Sequence, residues 1–408
     1  MVYERHVLPN GLRVVTAPMP QAQSVSCFLM LAAGSRYETR EQSGIAHFAE
    51  HMFFKGTERR PAARDIAAEI DNLGAEFNAF TGKEYTGYYV KAAAEHRDAA
   101  LDVLVDMLRF SKFDPEEIER EKGVIVEEMN MYFDTPRDFI GGVYEDLLYG
   151  DQPLGWDIIG TKETVRAATR DTFLNYTRRW YKPGRLVVGV GGAVGEGLLD
   201  RIGELLGDMA PEATPTPLAA VPHRNGRVRV FEKKSDQAHL VLGVESYPIE
   251  HPDRYPLQLL ATVLGTGMSS RLFTEVRERR GLAYYVFGTN HAYTDAGSLY
   301  SQAGVDINRI DEAVSTIVGE FRKIAAERVP AHELRKAKNI ARGRFVLSLE
   351  SPQGTIMFGL RREVLAAIEA VTAEEIQRVA RDLIAADKLR LAVIGPFDDA
   401  ARFDRLLG

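Results

Sequence analysis

Residues 211–226 read PEATPTPLAAVPHRNG. Four prolines in so short a stretch argue against a helix or a central strand, because proline fixes φ and lacks the N–H that both ladders need. The segment reads as an extended linker that divides the 408-residue chain into two parts of similar length, 1–210 and 227–408. Each part runs through the same order of elements. The first opens with VLPNGLRVVTAPM (7–19), which holds the Asn10-Gly11 hairpin signal, and SVSCFLMLAAGS (24–35). The second opens with RVRVFEKK (227–234) and AHLVLGVESY (238–247). Helical periodicity follows over 44–55, 62–73, 95–111, 115–133 and 163–180, and again over 254–264, 308–327, 331–349 and 373–386. Short apolar strands close the parts, RLVVGVGG (185–192) and LRLAVIGP (389–396). The pattern predicts an α+β fold of two homologous domains, each a mostly antiparallel sheet with helices on one face.

Composition narrows the function. A net charge of −7 argues against general affinity for nucleic acid or anionic membranes. The single cysteine, Cys27, excludes an intrachain disulfide framework and any cysteine-based zinc site, and its apolar neighbours predict burial. No run approaches the roughly 20 apolar residues that span a bilayer. The opening MVYERHVLPNGLRVV has no basic region followed by an apolar one, so a cytoplasmic protein is expected.

The two parts differ in chemistry, since only the first carries His47-Phe-Ala-Glu50-His51. Ser43 as N-cap and Gly56 just past the end predict a helix over 44–55. Four residues apart, His47 and His51 project from one face and can share a Zn²⁺ ion, with Glu50 left as proton acceptor. A catalytic zinc needs a third protein ligand. Residues 114–136, DPEEIEREKGVIVEEMNMYFDTP, predict a helix capped by Asp114. Ile118, Ile125, Met129 and Tyr132 form its apolar stripe; Glu121 and Glu128 fall inside the stripe, and Glu127 points nearly the opposite way. Carboxylates on such a stripe need a positive partner. We expect Glu128 to bind the metal and Glu121 to support it, although periodicity alone does not order the two.

With these residues in view, the chain resembles the pitrilysin, insulin-degrading enzyme and mitochondrial processing peptidase family. HFAEH and the downstream VIVEEM carry the resemblance, with AAGSRYE (32–38), FFKGT (53–57), LGAEFNAFTGKEYTGYY (73–89), MYFDTPRD (131–138) and RLFTEVRERRGLAYYV (271–286). The likeness spans both parts and is greatest to the short members that work as dimers. It implies zinc on His47, His51 and Glu128, Glu50 as general base, and Glu121 near the metal. It also implies a substrate-binding edge strand at Phe77, Asn78, Ala79 and Phe80. In the second part, Arg277 and Tyr284 match a pair that reaches the substrate; on residue type alone they read as a solvated helix arginine and a half-buried strand aromatic.

The function expected is a zinc endopeptidase acting on peptides or unfolded segments held between two domains that close as a clamshell. A homodimer is expected, or a heterodimer with a zinc-less homologue. The alternative is a non-catalytic scaffold or chaperone-like subunit of a related complex.

Overall fold

The computed structural model describes residues 3–212, 216–221, 226–358 and 364–408, so the expected 211–226 linker lies partly outside the described residues. The strands are β1 (Glu4–Val7), β2 (Arg13–Pro18), β3 (Ser24–Leu31), β4 (Glu76–Thr81), β5 (Thr86–Ala93) and β6 (Leu186–Gly192), then β7 (Val228–Glu232), β8 (Ala238–Glu245), β9 (Ala283–Ala292), β10 (Gly297–Val305) and β11 (Arg390–Gly395). Helices of the first part are α1 (Ile45–Phe53), α2 (Ala63–Asn72), α3 (Arg97–Phe110), α4 (Pro115–Asp134), α5 (Pro136–Tyr149), α6 (Lys162–Ala167), α7 (Arg170–Trp180) and α8 (Leu198–Leu206). Those of the second are α9 (Arg254–Gly265), α10 (Ile310–Ala326), α11 (Ala331–Ser348), α12 (Pro352–Phe358), α13 (Val364–Ala370), α14 (Ala373–Leu383) and α15 (Ala400–Leu407).

Two compact units result, and each gathers three chain segments instead of one continuous half. Met1–Asn130, Trp156–Leu218 and Val346–Arg362 form the first; Met131–Gly155, Ala219–Phe345 and Glu363–Gly408 form the second. The expected boundaries at 210 and 227 therefore need correction, because a short helical stretch of each half packs with the other half's sheet. Helix α5 was also absent from the sequence expectation. Pro136 suits its first turn, but Gly141-Gly142 inside it blurs the pattern.

In the first unit the sheet order is β1-β2-β6-β3-β5-β4. Only the β2–β6 pair is parallel. Cys27, Leu29 and Leu31 of β3 face a layer that includes Phe48 and Met52 of α1, Leu101 of α3 and Phe173 of α7. Cys27 is fully buried, which pushes its thiol up to about 12. The intervening Phe28 and Met30 face Ile356 of α12 on the opposite side. A side chain at Gly189 or Gly191 would collide with Ile356, so VVGVGG is glycine-rich where α12 lies against β6. The expected helix over 163–180 is two helices, because Ala168 is extended and Thr172 Oγ1 accepts the Thr169 N–H at 3.1 Å to start a second one.

In the second unit the order β7-β11-β8-β10-β9 repeats the first sheet from β2 onward, including the one parallel pair. Leu240, Leu242 and Val244 of β8 meet a layer that includes α9, α10 and α14. Val241, Ala392 and Ile394 meet Ile140, Val143, Tyr144 and Leu148 of α5 on the other face. Among the described residues, each sheet thus has its main helical layer on one side and a single helix on the other. No helix among the described residues is long and apolar enough to cross a membrane.

Candidate metal centre

Helix α1 starts at Ile45 and ends at Phe53, shorter than expected at both ends. Ser43 is not its cap. Gly44 takes that place with φ +93°, and a Cβ there would sit 2.6 Å from the Ile159 carbonyl oxygen, so the left-handed turn demands glycine. The free N–H groups of the first turn go to Glu38, which accepts from Gly44 at 2.8 Å and Ala46 at 2.7 Å. Burial pushes the Glu38 carboxyl up to about 8, against those two bonds and the charge of Lys83.

From α1, His47 and His51 face Glu128 of α4. His47 Nε2 lies 3.6 Å from Glu128 Oε1, and His51 Nε2 lies 3.5 Å from Oε2. Two donors at zinc distances of about 2.0–2.1 Å around a tetrahedral centre sit about 3.4 Å apart, so the spacing fits that ion. Ligand atoms of the three residues lie within 4.8 Å of one another, the one such group among the described residues. The expected α4 stripe is present: Ile118, Glu121, Ile125 and Met129 are buried, Glu128 is half-buried and Glu127 is exposed. Asp114 caps the helix by accepting the Glu116 N–H at 2.9 Å.

Glu121 lies behind His51. Its Oε1 is 2.9 Å from His51 Nδ1, and Oε2 is 2.5 Å from Lys55 Nζ. With Nδ1–H donating to Glu121, the His51 Nε2 lone pair is turned toward Glu128. Burial acts to raise the Glu121 carboxyl, but the bonds from His51 and Lys55 outweigh it and hold it below the usual carboxylate range. The His47 bond holds Glu128 low as well, with burial opposing. Both stay anionic, as a dication requires.

Glu50 is turned toward the sheet edge, where its Oε2 accepts the Thr81 hydroxyl at 2.5 Å. Thr81 ends β4, the edge strand expected to meet substrate. Phe77 is 39% exposed and packs against Phe54. The Ala79 N–H bonds Asn78 Oδ1 at 2.8 Å. Phe80 packs with Phe28, Met30 and Ile356 on the sheet face away from α1.

Two family models match. One, described as insulinase (peptidase family M16), covers residues 13–162, and another, described as the peptidase M16 inactive domain, covers 167–341. The chain belongs to the M16 peptidase family. Among M16 relatives, the uncharacterized zinc protease YmxG of Bacillus subtilis is 36% identical over 404 residues, spanning 96% of this chain and 98% of its own. An uncharacterized zinc protease of Streptomyces coelicolor is 34% identical, spanning 97% and 90%. A Helicobacter pylori protease of known structure shares the fold, with TM-score 0.91 and 22% identity over 97% of this chain and 99% of that one.

The M16 inactive-domain match covers Arg277 and Tyr284. Arg277 lies on a π-helical turn over Phe273–Glu278, its Cζ 4.9 Å from the Phe273 ring centroid and 5.9 Å from that of Tyr284. Tyr284 is 73% exposed near the start of β9, an edge strand, and so is not the half-buried aromatic its residue type suggests. The fold brings these two together within the second unit.

Glu38, Lys55 and Thr81 were not identified from the sequence. Lys55 follows His47 and His51 at the same four-residue spacing, so one more turn of the helix-face argument finds it. Thr81 shares a strand face with Phe77 and Ala79. Glu38 lies in a loop with no periodic signal.

Proposed function

We propose that this M16 protein is a zinc-dependent endopeptidase that hydrolyses peptides or unfolded segments. The observation that supports it best is the convergence of His47, His51 and Glu128 at zinc-ligand spacing beside a carboxylate, Glu50, that no metal ligand engages. Zinc, when bound, acidifies water and polarises a carbonyl. Thr81 fixes Glu50 Oε2, which leaves Oε1 to take the proton of the attacking water and pass it to the leaving nitrogen. Glu121 orients His51, and Lys55 balances the charge of Glu121. The free edge of β4 suits an extended peptide added as a strand, after the Asn78 side chain releases the Ala79 N–H. Arg277 and Tyr284 supply donors suited to the developing oxyanion. No observation favours a scaffold role, which has no need of a convergent ligand set.

The test is cleavage of a quenched fluorogenic peptide alongside metal analysis of the purified chain. Chelation should abolish cleavage and zinc should restore it; activity that survives complete removal of metal would falsify the reading. Light scattering during size exclusion tests the proposed homodimer.

A further inference from the structure

Helix α11 contrasts with the rest of this acidic chain. It carries Arg335, Lys336, Lys338, Arg342 and Arg344 against a single acid, Glu333. That acid is already engaged, by Arg271 Nη2 at 2.8 Å and Nε at 3.0 Å. Lys336 and Lys338 donate to the Ser269 and Glu369 carbonyls, contacts that hold the ammonium groups without cancelling their charge. A solvated helix face usually alternates signs, as α4 does where Arg120 pairs with Glu116 and Glu117 and Lys122 pairs with Glu119. Among the described residues, no such pairing relieves the repulsion between the cations of α11.

The cationic side of α11 borders a shallow, open surface depression over Ala331, His332, Arg335, Lys336, Asn339 and Ile340. Among the described residues of the lining, His332, Arg335, Lys336 and Asn339 can each donate a hydrogen bond and none is an acid. Only 10% of the Arg271 side chain is exposed, and its Nη1 is buried with no partner among the described residues.

His332, Arg335, Asn339 and Arg342 are exposed at spacings of three, four and three residues, which aligns them as one stripe along the helix. At 1.5 Å per residue the stripe is about 15 Å long. That matches about four or five residues of extended peptide at roughly 3.3 Å each. We propose that this side of α11 binds an acidic segment of the peptide substrate, with the forked guanidinium groups of Arg335 and Arg342 receiving its carboxylates. The inference rests on the peptidase reading and names a substrate class for it: chains carrying a run of Asp and Glu.

Fluorescence anisotropy with the full-length, zinc-loaded Glu50→Gln chain reads binding without turnover. The probes are a short labelled peptide rich in glutamate and the same peptide with glutamine at those positions. At low salt the acidic probe should bind at least about tenfold tighter, and the advantage should shrink as NaCl is added. Arg335→Glu should bring the acidic probe down to the glutamine level, and Arg335→Gln should move it part of the way. The same charge reversal at exposed Arg64 should leave affinity unchanged. Equal binding of the two probes, no binding of either, or an equal loss from Arg64→Glu overturns the proposal. Cleavage of the glutamine probe by the wild-type chain is scored separately. Its absence alongside intact acidic binding would count against the peptidase reading and not against the α11 site.

Discussion

Glu128 and Glu127 stand side by side in the sequence, yet only Glu128 faces the two imidazoles. Glu128→Gln should therefore strip most of the zinc at micromolar metal, while Glu127→Gln should leave occupancy unchanged by elemental analysis; the reverse would mean the helix face is misassigned. Glu121→Gln keeps the shape but weakens the hold on His51, so zinc affinity should fall about 10–100-fold. Glu38 carries a pH consequence. Its folded carboxyl, pushed up to about 8, keeps a proton that the unfolded chain releases near the ordinary 4.5. Its contribution to stability is thus fully present below about pH 4.5 and is lost as pH rises toward about 8. The Tm advantage of zinc-free wild type over zinc-free Glu38→Gln should fall across that window, and a constant difference would refute the assignment. At this scale the sequence was readable where residues share one helix. His47 and His51 follow from a four-residue spacing, and Glu121 and Glu128 from one stripe. Glu38 and Thr81 were not readable, because each reaches α1 through a tertiary contact that no local period encodes.

The elements hold the site through backbone features as much as side chains. Gly44 and Gly160 both take positive φ and press together, since a Cβ on either would meet the other's Cα within 3 Å. Gly44→Ala should destabilise the chain by about 1–3 kcal/mol from backbone strain alone, read by urea unfolding, and should lower zinc affinity by displacing α1. A variant with unchanged stability would show that the left-handed turn is not required. Most elements were legible from period and turn chemistry. Residues 27–31 of β3 and 240–244 of β8 lack polar alternation, as strands covered on both sides do, yet helices were expected on one face alone. What covers those far faces, α12 and α5, could not be read. α5 hides behind a glycine pair, and the fit of Ile356 over Gly189 and Gly191 depends on residues more than a hundred positions apart.

For the whole molecule, the duplication seen in the order of elements is repeated in the two sheets, yet neither half of the sequence builds a complete unit. Residues 131–155 belong with the second sheet and 346–362 with the first. A chain cut in the linker should therefore give a fragment 1–210 that lacks Ile356 over β6 and exposes the apolar face of α5. Expressed alone, each fragment should aggregate or melt without cooperativity; expressed together they should form a soluble complex that melts in a cooperative transition. Two independently stable halves would contradict the exchange of segments. Such exchange was beyond sequence reading, since a proline-rich linker marks where the chain runs extended and not where the contacts divide.

In the proposed peptidase, Glu50 moves the proton for a water activated at His47, His51 and Glu128. The most direct test compares peptide cleavage by wild type and Glu50→Gln, each shown by elemental analysis to hold one zinc per chain. Wild type and variant should hold equal zinc, and the variant should cleave about 10²–10⁴-fold more slowly. Equal rates at equal zinc content would contradict it.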